Sequence, residues 1–383
     1  MSIPADVGRW IGQERHGQTA NFPVERGYLW TLLASVENGN PLFWDDEVAA
    51  ELTDGPIAPP TTLSLWFRPH FWEPGQGEPR NPLPTHFELK DRLGLPEAVM
   101  TDSVTVFHDP VRPGDVISTS EVLRSVSDPK TTKLGTGRFW VIDVDYRNQH
   151  GDLVGTEIFT GFGYRREATA ASDAPATTIP PAATPARETA AATDPPSAVS
   201  AADASGPSFT VEATAGRAPG ERGPAVLLPQ VQPGHTLPAL RHEVTATTVV
   251  LGALATRDWR PMHHDMDFAV NRNGTADIFL NTPNQQAWFE RYLTDWTGPR
   301  GRIGRLRFRM RDSIFPRDAM TFTGAVDGVG VDDTGCGWAD VTIELHAAGR
   351  GPRRRCTTCT ARLALPTAPD DNPWRRRGDQ WRP

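Results

Sequence analysis

The run Asn281-Thr282-Pro283-Asn284-Gln285-Gln286-Ala287-Trp288-Phe289-Glu290-Arg291-Tyr292-Leu293-Thr294-Asp295-Trp296 carries a helix start and a helix body in one stretch. Thr282 can cap, Pro283 suits the first helical position because its missing N–H would be unpaired there anyway, and Gln285 completes a capping box. Trp288, Phe289, Tyr292 and Leu293 then recur at helical spacing, which predicts a helix with a buried face. Strand-like runs follow at 303–310, 320–326, 338–345 and 357–365. One buried helix succeeded by strands predicts a helix wrapped by a curved antiparallel sheet, not a parallel-sheet enzyme.

The same order of elements stands earlier in the chain. Tyr28, Leu29, Leu32, Leu33 and Val36 repeat at helical spacing, a polar turn runs from Glu37 to Pro41, and a proline-led apolar segment covers 57–66. Strand-like runs come next at 103–107, 116–118, 139–144 and 157–162. In the later half a helical run at 246–256 takes the place of the first helix. Between the halves, residues 167–223 are dominated by Ala, Thr, Pro, Ser and Gly and read as a flexible linker. The expected organisation is an N-terminal domain at 1–166, the linker at 167–223, a C-terminal domain at 224–366 and a loose polar tail at 367–383. The fold class is α+β, as a tandem duplication.

Composition excludes several classes of function. Lys and Arg number 39 against 47 Asp and Glu, a net charge of −8, which argues against a protein built to grip nucleic acid or an anionic membrane. Three cysteines in 383 residues cannot form a disulfide scaffold, so a cytoplasmic setting is expected. No apolar run approaches the length of a membrane span, and the first residues lack the features of an export signal.

The densest polar cluster is Asp258-Trp259-Arg260-Pro261-Met262-His263-His264-Asp265. It puts a carboxylate and an imidazole five residues apart on a turn leaving an apolar helix. Such a pair can hold one water and divide acid and base roles. The helix start at Asn281 to Gln285 offers unpaired N–H groups for a developing oxyanion. Spacing alone leaves a second reading open, a capped and solvated loop with no chemistry.

The stretch from Ala255 to Asp265 resembles the hydratase motif of MaoC-like (R)-specific enoyl-CoA hydratases, with Asp258, Pro261 and His263 in matching places and Asn281 at the following helix start. Together with 277–282 and 291–299 it is similar to the actinobacterial steroid side-chain enoyl-CoA hydratases. The first half resembles the FAS1-like (MaoC N-terminal) dehydratase domain. The resemblance spans about residues 8–165 and 235–365, and implies a double hot-dog fold. It further implies hydration of a bulky trans-2-enoyl-CoA, or the reverse dehydration, by a homodimer needing no cofactor beyond the coenzyme A of its substrate. On that basis Asp258 and His263 are the expected catalytic pair, with Asn281 and Thr282 as backbone donors to the thioester oxygen. Arg260, standing where the family usually has Asn, and His264 are expected to support them. In the first half Asn38 and Phe43 occupy the places of the Asp and His, so that copy is expected to be chemically silent.

Arg305, Arg307 and Arg309 alternate with Leu306 and Phe308, placing them on one face of a strand. They are candidate contacts for the phosphates of coenzyme A, against the alternative of a solvated outer face. The Cys356/Cys359 pair has too few partners for a metal site. Two further functional readings remain: a biosynthetic dehydratase acting on a carrier-bound thioester, and a non-catalytic acyl-CoA-binding subunit.

Overall fold

The computed structural model describes residues 3–68, 70–75, 83–166 and 226–383; the expected linker at 167–223 lies outside the described residues. In the N-terminal half the strands are β1 (Glu14–Thr19), β2 (Glu97–Phe107), β3 (Ser118–Val126), the short β4 (Lys130–Thr132), β5 (Gly135–Arg147) and β6 (Leu153–Arg165). In the C-terminal half they are β7 (Thr236–Glu243), β8 (Arg302–Met310), β9 (Ala319–Val331), β10 (Gly337–Ala348) and β11 (Arg354–Ala364). All the strand pairings are antiparallel.

The spatial order exposes the duplication. Read from its outer edge inward, the first half runs β1-β3-β5-β6-β2 and the second runs β7-β9-β10-β11-β8. These are the same order, with β4 an addition on β5. The two sheets join where β2 pairs β8, from Ser103 opposite Phe308 to Val106 opposite Arg305. The edge strands β1 and β7 are absent from the sequence reading for a physical reason. Each has one neighbour and a mostly polar, half-exposed face, so neither shows a buried strand's apolar signal.

Against the sheet lie α1 (Arg26–Ser35), α2 (Ala246–Ala255) and the central α3 (Thr282–Thr297). The counterpart of α3 in the first half is a 3-10 helix, Pro60–Phe67. Asn281, not Thr282, is the N-cap of α3, its side chain accepting from the Asn284 N–H at 3.2 Å. Trp288, Phe289 and Leu293 are wholly buried, and the Phe289 ring meets Phe308 of β8 and Phe322 of β9 edge-on at 5.3 and 5.0 Å. Gly252 of α2 lets the helices approach, since a Cβ there would fall 2.5 Å from the Asn284 side chain.

Thr367–Pro383 is not the loose tail that its composition suggests. Trp374 and Trp381 are buried, and the Trp381 indole donates to the Phe107 carbonyl at 2.7 Å. The buried Arg302 guanidinium lies 3.7 Å from the Trp381 ring centre and donates to the carbonyls of Pro373, Arg376 and His108. Two tryptophans thus anchor an arginine-rich segment across the junction of the halves. Trp381→Ala is expected to lower unfolding stability by about 3 kcal/mol or more, as large aromatic truncations in cores do, measured by denaturant titration.

A second link between the halves is the buried Glu290 of α3, whose Oε2 accepts from the Thr61 backbone N–H at 3.0 Å and from the Thr61 hydroxyl. Burial pushes the Glu290 carboxyl up to about 7, against the lowering effect of the Thr61 bonds. The fold therefore holds the proton more tightly than the unfolded chain does, so stability declines as pH rises from about 4.5 through 7. Glu290→Gln is expected to raise the melting temperature at pH 8, by relieving a cost on the order of 3 kcal/mol, and to change it little near pH 4.5. Melting curves at the two pH values check this.

Candidate active site

α2 ends at Thr256, whose hydroxyl donates to the Gly252 carbonyl at 2.7 Å. Arg257 then takes a left-handed backbone, φ 52°, and the Asp258 N–H returns to the Ala253 carbonyl at 2.9 Å. This reversal turns Asp258 inward, where it is 2% exposed. The first half braces the turn. The Arg257 guanidinium lies 4.0 Å from the Phe22 ring centre, and the Tyr28 hydroxyl donates to the Leu254 carbonyl at 2.6 Å.

Pro261 opens a short 3-10 turn, Pro261–His263, that delivers His263 to the same buried spot. His263 Nδ1 faces the Phe279 carbonyl at 2.8 Å, so Nδ1 carries the hydrogen and Nε2 is left with its lone pair. Nε2 stands 3.7 Å from Asp258 Oδ2. Burial lowers the pKa of His263 to about 4, against the raising effect of the Asp258 carboxylate, so the ring is neutral at pH 7.

Asp258 is heavily neutralised. Arg260 donates Nε to Oδ1 at 2.8 Å and Nη2 to Oδ2 at 2.7 Å, and Asn281 Nδ2 donates to Oδ2 at 3.0 Å. Arg68 Nη1 approaches Oδ2 to 3.6 Å from the other half. Burial alone would raise the Asp258 pKa; the Arg260 hydrogen bonds and charge, with Arg68 and His263, hold it well below the usual carboxylate range. The site therefore presents an ionised carboxylate and a neutral imidazole, two acceptors 3.7 Å apart. Next to it, the Thr282 N–H in the first turn of α3 has no carbonyl to pair with inside the helix.

The pattern of the FAS1-like dehydratase domain region matches residues 9–157. The chain is 34% identical over 132 residues to the 3-oxo-4,17-pregnadiene-20-carboxyl-CoA hydratase beta subunit of Mycobacterium tuberculosis, covering 34% of this chain and 95% of that protein. The chain belongs to the MaoC-like hot-dog family. A probable enoyl-CoA hydratase alpha subunit of Thermomonospora curvata is 31% identical over 175 residues, 44% of this chain and 52% of that one. The chain thus spans nearly all of the beta subunit and about half of the alpha subunit. Among solved structures, a MaoC-like dehydratase superposes with a TM-score of 0.57 at 18% identity, covering 92% of this chain and 98% of that one. A Mycobacterium tuberculosis protein described as a double hotdog superposes with a TM-score of 0.53 at 14% identity, covering 93% and 96%. This MaoC-like chain is itself a double hot-dog.

Within it, Asp258, His263 and Asn281 meet at one point. Asn281 takes part through its side-chain amide, which joins Asp258 to Thr256 Oγ1 at 2.7 Å. Arg260 is in direct contact with Asp258. The exposed His264 turns away, Nε2 lying 3.2 Å from the Trp259 carbonyl, and Asp265 caps the next helix through the Phe268 N–H. Leu306 and Phe308 point inward to the core, so Arg305, Arg307 and Arg309 lie on the sheet face opposite α3, where Arg307 and Arg309 flank Asp102 of β2. Burial pushes the thiol of Cys356 up to about 11 and raises that of Cys359, so neither is a ready thiolate. In the first half, Asn38 Oδ1 accepts from the Asn40 N–H, Asn40 caps the turn that follows, and Phe43 is buried.

Arg68 and the bracing residues Phe22 and Tyr28 escape the sequence reading because they come from the other half, where no spacing rule connects them to Asp258. A reaction that draws on neutral His263 as an acceptor is expected to keep a steady kcat/KM from pH 7 down to about 5 and to lose it through pH 4. A pH–rate profile checks this; a fall centred near 6.5, the ordinary histidine value, contradicts it.

Proposed function

We propose that the chain adds water across the double bond of a bulky trans-2-enoyl-CoA, giving a (3R)-hydroxyacyl-CoA, or runs the reverse dehydration. One observation carries this reading: Asp258 Oδ2 and the unprotonated His263 Nε2 face each other at 3.7 Å beside the start of α3. A water donating to both is held with its oxygen lone pairs directed at a third point, where C3 of the acyl chain would sit.

The oxygen of that water bonds to C3 as the C2=C3 π electrons shift toward the thioester. Charge accumulates on the thioester oxygen, where the Thr282 N–H and the positive end of α3 stabilise it. One water proton passes to His263 Nε2 and then to C2, completing the addition of H and OH. Asp258 keeps its charge throughout: held by two arginines and Asn281, it is the weaker base of the pair and serves to orient the water and stabilise the imidazolium. The reaction is a net addition of water, so its atoms and electrons balance without a redox partner.

Two features support a large acyl group. Relatives of this chain are named for a steroid-derived acyl-CoA. Phe71 and Trp72 are exposed, and Phe71 meets Trp259 edge-on at 6.4 Å, which places an aromatic rim beside the Asp258 turn. Thr61, Leu63, Phe107, Glu157, Leu306 and Phe308 line a cleft between the halves with room for little more than one water, about 10 Å³. A fused-ring group does not fit there as the cleft stands. The proposed setting is cytoplasmic; among the described residues no helix is long and apolar enough to cross a membrane. Its relatives are named as alpha and beta subunits, whereas this chain carries both hot-dog units, and we propose that it self-associates as a homodimer.

A panel of enoyl-CoA thioesters from four carbons to steroid size, followed by loss of conjugated absorbance, tests the reading. Turnover is expected to favour the bulky substrates. Asp258→Asn and His263→Ala are each expected to lower kcat by about 10²–10⁴-fold while remaining folded. Full activity in either variant contradicts the assignment.

A further inference from the structure

We infer that Arg68, carried by the half that lacks an acid–base pair of its own, is a positioning residue for the Asp258–His263 site. The inference rests on the reading of that site given above and adds a contribution from the other half.

Arg68 leaves the end of the 3-10 helix Pro60–Phe67, where its N–H donates to the Leu65 carbonyl at 3.1 Å. Its guanidinium reaches across the junction until Nη1 stands 3.6 Å from Asp258 Oδ2. That is the oxygen facing His263 Nε2, and the one to which Asn281 donates. At 3.6 Å the approach is an ion pair and not a hydrogen bond, so Arg68 acts on Oδ2 through its charge, beside the hydrogen bonds from Arg260 and Asn281.

Arg68 has a carboxyl group near it in each half. Glu157, buried in β6 where burial raises its pKa, accepts from the Tyr146 hydroxyl at 2.6 Å in the first half. Asp258 attracts Arg68 from the second half and is itself paired with Arg260. Arg260 engages both carboxylate oxygens from within the second half. Arg68 adds a second cation, from the first half, at the oxygen that faces His263, favouring the ionised carboxylate and helping to hold Oδ2 beside the imidazole. The site is thus incomplete without the chemically silent half.

The test uses the full chain with Arg68→Gln and Arg68→Lys. With an enoyl-CoA that the wild type turns over, Arg68→Gln is expected to lower kcat by about tenfold or more, with KM within about twofold, because Arg68 acts on Asp258 and not on the thioester. Arg68→Lys keeps the charge and is expected to restore most of the rate. Wild-type kcat in Arg68→Gln, no rescue by Lys, or a change confined to KM would each overturn the inference. A second measurement does not depend on turnover: shifts in melting temperature for Arg68→Gln, Asp258→Asn and the double variant are expected to be non-additive. Additive shifts overturn the inference whatever the activity. If the wild type hydrates none of the thioesters while the shifts remain non-additive, the functional reading fails and the Arg68–Asp258 pairing stands.

Discussion

A carboxylate sealed from water must be neutralised, and the way Asp258 is neutralised organises the rest of this molecule. Its partners come from four places: Arg260 from its own turn, Asn281 from the start of α3, His263 from the adjoining 3-10 turn, and Arg68 from the other half. Satisfying that one anion fixes the end of α2, the start of α3 and the approach of the two hot-dog units. A buried charge stripped of such partners would cost several kcal/mol, so the arrangement acts on the fold as much as on the chemistry.

Both halves have the same strand order and meet through equivalent strands, β2 and β8. In the first half the Asn38 and Asn40 side-chain oxygens accept from N–H groups of the local turn, and Phe43 is buried. That half now holds the other in place. Tyr28 and Phe22 brace the Arg257 turn, Thr61 grips Glu290, and the C-terminal segment packs Trp381 against Phe107.

Much of this was legible in the sequence where apolar periodicity or turn chemistry is strong. The helix after Asn281, the four strands that follow it and the repeated order all carry buried faces, whereas the Asp258–His263 pair stood out only through the family resemblance, its spacing alone leaving a solvated loop open. The edge strands β1 and β7 were not legible, because a strand with one neighbour buries too little to leave a pattern. The segment after Thr367 misled because abundant arginines masked two anchoring tryptophans, and one buried guanidinium, Arg302, gathers that segment's carbonyls. Arg68 was illegible for a different reason: its partner is distant in the chain, and only the folded junction brings the two together.

The proposed hydration depends on a single water shared by Asp258 and a neutral His263. Neutron diffraction at neutral pH reads it most directly, since it locates both the water and the imidazole hydrogens. The expected result is a water donating one hydrogen to Asp258 Oδ2 and the other to His263 Nε2, with a hydrogen on Nδ1 alone. A hydrogen on Nε2 pointing at the carboxylate, with no water between the two groups, would contradict it.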